Sequence, residues 1–186
     1  NNTVGEKNTA SGHQALFANS DGNSNSAYGY RALGSNTSGF RNTAIGTDAL
    51  LSNTTAVNST AVGFEALKSN TTGERNDAFG AFALTANTTG ALNVAIGNFT
   101  LQSNTTGSDN TAVGTGSLLS NIFGNENTAV GIGSLRNNTV GNNNTAMGSF
   151  ALNANTGSNN TAYGSRSLLA NSTGTQNTAV GQNALT

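Results

Sequence analysis

The chain has no cysteine, no proline and no tryptophan, a single histidine (His13), and only 15 charged residues. Without cysteine there is neither a disulfide framework nor a thiolate metal cluster, a composition that fits a disulfide-free extracellular protein and a cytoplasmic one equally. One histidine leaves one side chain whose reference pKa suits general-base work near neutrality. Seven basic and eight acidic residues give a net charge of -1, and no Lys/Arg cluster supplies the electrostatic footprint expected for nucleic acid or an anionic membrane. No apolar run approaches the roughly 18 residues that span a bilayer. The opening residues do not read as a signal peptide, so any export signal is expected outside this stretch.

What is present is strongly biased. Asn (32), Thr (27) and Gly (24) fill 83 of 186 positions, far from ordinary globular usage. With 34% hydrophobic residues, many of them Ala, a conventional closed core would be thin.

An internal repeat accounts for the bias. The motif Asn-Thr-Ala-φ-Gly, with φ usually large and apolar, recurs eleven times, with its glycine at Gly12, Gly29, Gly46, Gly63, Gly80, Gly97, Gly114, Gly131, Gly148, Gly164 and Gly181. The spacing is 17 residues except for 16 before Gly164, where Asn155-Thr156-Gly157 is one residue shorter than the usual Asn-Thr-Thr-Gly. Numbered from the motif asparagine, the unit is N-T-A-φ-G-x-x-A-L-x-x-N-T-T-G-x-x. Ala holds position 3 and Leu position 9 in all eleven copies, from Ala10 to Ala179 and from Leu16 to Leu185. Position 15 is Gly in ten copies, with Ala56 the exception. A glycine fixed at one phase is expected where the backbone needs positive φ or close approach, so two corners per repeat follow.

This pattern predicts an all-β fold, a parallel β-solenoid with one 17-residue coil per repeat and eleven coils, about 50 Å long at an interstrand spacing of about 4.8 Å. Residues 1–186 read as a single repeat domain, cut within a repeat at both ends and without a visible cap, as expected for a fragment of a longer fibre. The first five positions alternate as a strand; the segment around Ala-Leu reads equally as a second strand or a helical turn. Asn at position 12, from Asn2 to Asn171, and at position 1, replaced once by Ser59, are candidates for stacked amide ladders. A leucine-rich repeat would need more Leu per unit, and the calcium-binding nonapeptide roll a regular Asp; the persistent phase argues against disorder.

If Ala at position 3 and Leu at position 9 point inward, position 4 points out. That column comprises Ser11, Tyr28, Ile45, Val62, Phe79, Ile96, Val113, Val130, Met147, Tyr163 and Val180. Ten stacked apolar side chains exceed what a soluble monomer usually exposes, so Tyr28 through Val180 are the candidate self-association residues, near the axis of a closed cyclic assembly. The reverse assignment, with position 4 inside, would remove this argument.

The segments Asn42-Thr43-Ala44-Ile45-Gly46 and Asn110-Thr111-Ala112-Val113-Gly114 resemble the head repeats of YadA-like trimeric autotransporter adhesins, whose signature is similar to Asn-Ser-Val-Ala-Ile-Gly. The likeness runs over all eleven repeats; this repeat is longer by its Asn-Thr-Thr loop and has Thr or Ser for the first Val. Similar long repeats look like those of trimeric phage tail fibres. The resemblance implies a left-handed β-roll in a homotrimer on a bacterial cell surface.

Residues that could carry chemistry are few. His13 occupies a variable position beside Gly12 and reads as a surface turn residue. The carboxylates are read as scattered over several repeat phases, with no pair for glycoside-type acid/base work. No phosphate loop, metal set or cofactor motif is found. Phe64, Phe82, Phe99 and Phe150, at positions 6 and 7, are read either as fillers of grooves between chains or as aromatic platforms for a carbohydrate or protein receptor. The function expected is non-enzymatic, without cofactor: a structural and adhesive segment of a trimeric extracellular bacterial fibre attaching to a host, prey or surface receptor. A phage tail-fibre shaft or receptor-binding tip is the alternative, followed by an ice-binding or filament-forming solenoid, although adjacent threonines in Asn-Thr-Thr would point to opposite faces of a strand.

Overall fold

The computed structural model describes residues 3–186 and is a parallel β-solenoid. Asn2, the expected first rung of the position 12 ladder, lies outside the described residues. Eleven three-residue strands, β1 (Thr9–Ser11) to β11 (Thr178–Val180), form one sheet in sequence order. Ten turns connect them, nine of 17 residues and one of 16. All pairs are parallel and in phase with the repeat, so Ala10 pairs Ala27 and Ala44 pairs Ala61. The shortened turn leaves the register intact: β9 (Thr145–Met147) still pairs β10 (Thr161–Tyr163) through Ala146 and Ala162.

Burial resolves which face is inside. Ala27, Ala44, Ala61 and their equivalents through Ala162 are completely buried, as are Leu33 through Leu152 at position 9. Position 8 completes the apolar filling with Ala or a small hydroxyl residue, as in Ala49 and Ser117. Ala on Ala lets the two walls of the coil approach closely, which is why a 17-residue turn can close on so little.

The segment around Ala-Leu is neither a second strand nor a helix. Positions 7 and 9 are both left-handed, and every position 9 Leu has φ between 47 and 52°. A third left-handed residue stands at position 17, where Arg41, Leu92 and Glu126 have φ of 57, 59 and 56°. Left-handed backbone costs a non-glycine residue roughly 1–2 kcal/mol, while burying a Leu gains roughly 1.5–3 kcal/mol. The leucine therefore offsets its own backbone cost, and the bent chain is bonded both to the next coil and within its own: Leu33 N donates to Ala49 O of the next coil and Asn36 N to Leu33 O.

The two glycine columns serve different needs. At position 5 the backbone has φ of 120–140°, and a Cβ on Gly46 would stand 2.5 Å from the carbonyl oxygen of Gly63. Position 15 has no positive φ. A Cβ on Gly90 would collide with the carbonyl oxygen of Gly107 in the next coil, as at position 5, and would also stand 2.5 Å from Asn87 Oδ1.

That close approach belongs to the central polar feature of the coil. Asn87 Nδ2 donates to Asn70 Oδ1 of the preceding coil at 2.8 Å and to Gly90 O at 2.9 Å. Asn76 Nδ2, at position 1, donates to the same Gly90 carbonyl at 2.7 Å. Its own Oδ1 accepts from the backbone N–H of Asn93 in the next coil at 3.0 Å. Both asparagine columns thus run as buried ladders that meet at one carbonyl per coil, and the pattern repeats at Gly39 and Gly107. At position 13, Thr71 Oγ1 donates to Thr88 O at 3.0 Å, adding an outer row of the same kind.

Two irregularities show how sensitive the ladder is. At Ala56, the one non-glycine at position 15, the Asn53 bond to that carbonyl lengthens to 3.3 Å and the next rung, Asn70 to Asn53, to 3.2 Å. At the shortened turn, Asn155 Nδ2 donates to Gly157 O two residues on, and its Oδ1 accepts from Asn160 Nδ2 and Asn171 Nδ2. The acceptor left behind is Asn138 Oδ1, the one buried side-chain polar atom without a partner among the described residues.

Replacing Asn87 with Ala should strand Asn70 Oδ1 and one proton of Asn104 Nδ2, which Asn87 Oδ1 now accepts. At about 1–3 kcal/mol per unsatisfied buried group, the expected loss is about 3 kcal/mol in chemical denaturation. Thr72→Ala, at the exposed neighbouring turn position, should change stability by less than about 0.5 kcal/mol.

Candidate functional site

The outward side of the sheet carries positions 2 and 4, one on each side of the inward Ala. Position 4 is the apolar column. Tyr28, Ile45, Phe79, Ile96, Met147 and Tyr163 are each about two-fifths exposed, Val180 at the last strand is 73% exposed, and Val62, Val113 and Val130 are half-buried. The ten residues singled out from the repeat therefore lie side by side on one face, in register from strand to strand: Tyr28 on Ile45, Phe79 on Ile96, Val113 on Val130. Their flanks at position 2 are mostly threonine, as in Thr43, Thr60 and Thr111. Every strand presents the same two columns outward because each repeats the one before it.

A second set of exposed side chains follows the sheet at positions 6 and 7, where the left-handed turn throws side chains outward. Phe64 and Phe82 meet edge to face with centroids 5.2 Å apart, and Phe82 stacks on Phe99 at 5.2 Å with rings 7° from parallel. His13 stacks on Tyr30 at 5.6 Å, confirming its place on the surface turn. Phe150 stands apart from these rings and folds over Gly133 of the preceding coil. Three of the four candidate phenylalanines thus cover one another within a single chain. Each ring still presents an edge or outer face to solvent.

The same column contains charges whose meeting was missed in the sequence. Asp48 and Glu65 are both at position 7 of adjacent coils, so the reading of the carboxylates as scattered needs correction. The repeat phase brings these two together with Arg31 of the preceding coil and Lys68 at position 10. Arg31 Nε and Nη2 donate to the two Asp48 oxygens at 2.8 and 2.7 Å, and Lys68 Nζ donates to Glu65 Oε1 at 2.8 Å while lying 3.9 Å from Asp48 Oδ2. The Asp48 hydrogen bonds raise the Arg31 pKa above its already high value, so this guanidinium stays charged. Asp48 is buried beneath its partners. A carboxylate fixed in a bidentate pair is a tether for an arginine, and Asp48 is occupied in this way, while Glu65 accepts a single bond from Lys68. Arithmetic modulo 17 applied to the charged residues would have found the cluster.

Among the described residues no group of three His, Asp or Glu side chains gathers as a metal site. Comparison with protein-family models, with curated proteins and with solved structures found no match.

If the phenylalanine row acts as an internal staple, Phe82 and Phe99 should be energetically coupled. A double-mutant cycle with Phe82→Ala and Phe99→Ala is expected to show about 0.5–1.5 kcal/mol of coupling in denaturation midpoints. Additivity would mean the rings contribute no mutual stabilisation.

Proposed function

We propose that this chain is a stiff, non-enzymatic segment of a trimeric extracellular bacterial fibre, of the kind its resemblance to YadA-like adhesin repeats suggests, and that it serves attachment to a surface receptor. The observation that carries the reading is the uninterrupted apolar column from Tyr28 to Val180 on the outer face of the sheet. It extends about 43 Å at about 4.8 Å per strand, a length of apolar surface that soluble monomers rarely leave uncovered.

A second and third copy of the same chain are the occupants that fit this column best. Only a partner with the same rung spacing meets every rung, and a parallel arrangement about a common axis brings each rung against its own equivalents. The order three comes from the resemblance. The remaining repeated columns, Ala, Leu, Gly and both asparagine rows, are spent on holding coil to coil, so the variable turn positions are left to meet a receptor. Affinity in such a rod arises from weak contacts repeated over three chains. An ice-binding surface is less well supported, because the outward face alternates threonine with apolar side chains of unequal size rather than presenting two matched threonine columns.

Sedimentation equilibrium of the 186-residue chain tests the assembly: three times the chain mass is expected, and a stable monomer would refute it. Val113→Asp should weaken the association constant by at least about 100-fold, since it places an unpaired carboxylate in an apolar interface. The same substitution on an isolated chain would lie on an exposed face and leave the coil folded.

A further inference from the structure

Position 10 projects from the turn away from the sheet and carries Phe17, Gly34 and Leu51 in three successive coils. Gly34 removes one rung from this row. The backbones that carry Phe17 and Leu51 are thus two rungs, about 9.6 Å, apart along the rod. Between them lies a cleft of about 190 Å³ lined by Gln14, Phe17, Arg31, Gly34, Ser35 and Leu51. Other glycines that interrupt an outward row are covered by a side chain of the next coil, Gly116 by the Arg136 guanidinium and Gly133 by the Phe150 ring. Leu51 Cδ1 leans toward Gly34 in the same way, 3.1 Å from an added Cβ, and there it forms one wall of the cleft whose other side is lined by Phe17.

The lining has a consistent chemistry. Phe17 is 55% exposed and offers a ring face. The Gln14 amide and the Ser35 hydroxyl make no side-chain hydrogen bond among the described residues. Arg31 is held by Asp48 through Nε and Nη2 and lies over the Tyr30 ring at 4.9 Å, which leaves Nη1 free to donate. Arg31 with Asp48 and Lys68 with Glu65 cancel in charge, so the cluster offers no net attraction to an ion. A ring face for stacking, a small cleft beside it and a rim of neutral or neutralised donors and acceptors suit a ligand with an apolar face and a hydroxylated edge.

We propose that the Gly34 cleft is a binding site for a single neutral pyranose ring, stacked on Phe17 with its hydroxyls toward Gln14, Ser35 and Arg31. Its volume, below the roughly 300–1000 Å³ of larger ligand sites, holds one sugar unit of a chain. The proposal gives the adhesive reading a ligand class and rests on it for its biological meaning, but the cleft is complete within one chain, so the two can fail separately.

The test is proton–nitrogen correlation NMR of the whole chain titrated with the methyl glycosides of glucose, galactose and mannose and with N-acetylglucosamine. At least one is expected to give saturable shifts at Gln14, Gly34 and Ser35 with a Kd on the order of 1–10 mM. Gly34 has no positive φ, and an added Cβ would stand 3.1 Å from Arg31 O and from Leu51 Cδ1, a crowding that a shift of a few tenths of an ångström relieves. Gly34→Leu, which places there the residue that Leu51 supplies at the same position of the next coil, should fill the gap and abolish the saturable shifts while leaving the strand amide signals unmoved. Phe17→Ala, at an exposed position, should weaken binding by about fivefold or more. Absence of saturation with all four sugars, or shifts that survive Gly34→Leu, would overturn the site. Sedimentation of the same samples separates the two readings: a monomer that binds sugar keeps the cleft and loses the fibre, and a trimer that binds none does the reverse.

Discussion

One carbonyl per coil sets the shape of this molecule. The oxygen at position 15, as in Gly90, receives side-chain amides from two asparagines, Asn76 and Asn87, that arrive from opposite ends of the coil. Each of those asparagines also bonds to the coil beside it. A single polar junction therefore closes the turn within a coil and fixes its height against the next. An unsatisfied amide buried at this depth would cost on the order of 1–3 kcal/mol, so the junction works only when the ladder is continuous. The stranded Asn138 Oδ1 beside the one shortened turn marks where continuity fails.

The thin apolar interior depends on that junction. Alanine, leucine and one small residue per coil could not by themselves hold a rod together, but the amides occupy the remaining interior space and bond along the axis in both directions. The backbone follows. Leucines accept left-handed geometry because their side chains enter the core and their N–H and C=O groups find partners in the neighbouring coil and in their own. Everything variable is then forced outward: the apolar column on the sheet, the aromatic and ionic row at the turn, and the gap at Gly34.

Reading the sequence in columns of 17 was enough for the strand segment, the inward Ala and Leu, the exposed position 4 face and the two amide rows. These are properties of residue type at a fixed phase, and phase survives in a single sequence. Left-handed backbone at Arg41, Leu92 and Glu126 was not readable, because none of these residues favours it and only stacking between coils imposes it. The purpose of the position 15 glycine was half visible: close approach was anticipated, yet the atoms approached, the next coil's carbonyl and an asparagine Oδ1, emerge only in three dimensions. The Arg31, Asp48, Glu65 and Lys68 cluster was overlooked for a simpler reason. Asp48 and Glu65 share position 7 in adjacent coils, but the acids taken together spread over several phases, and the cluster is recognised only when that one column is read across both signs of charge, with Arg31 above and Lys68 beside it.

The central claim is that the asparagine amides are structural members as well buried as the strands. Hydrogen exchange of side-chain NδH2 groups, resolved by NMR, addresses it directly. Asn87, Asn93, Asn104 and Asn110 should exchange with protection comparable to the backbone amides of the central strands, while the exposed Asn98 exchanges freely. Ladder amides exchanging as fast as Asn98 under conditions where the strands stay protected would contradict the account.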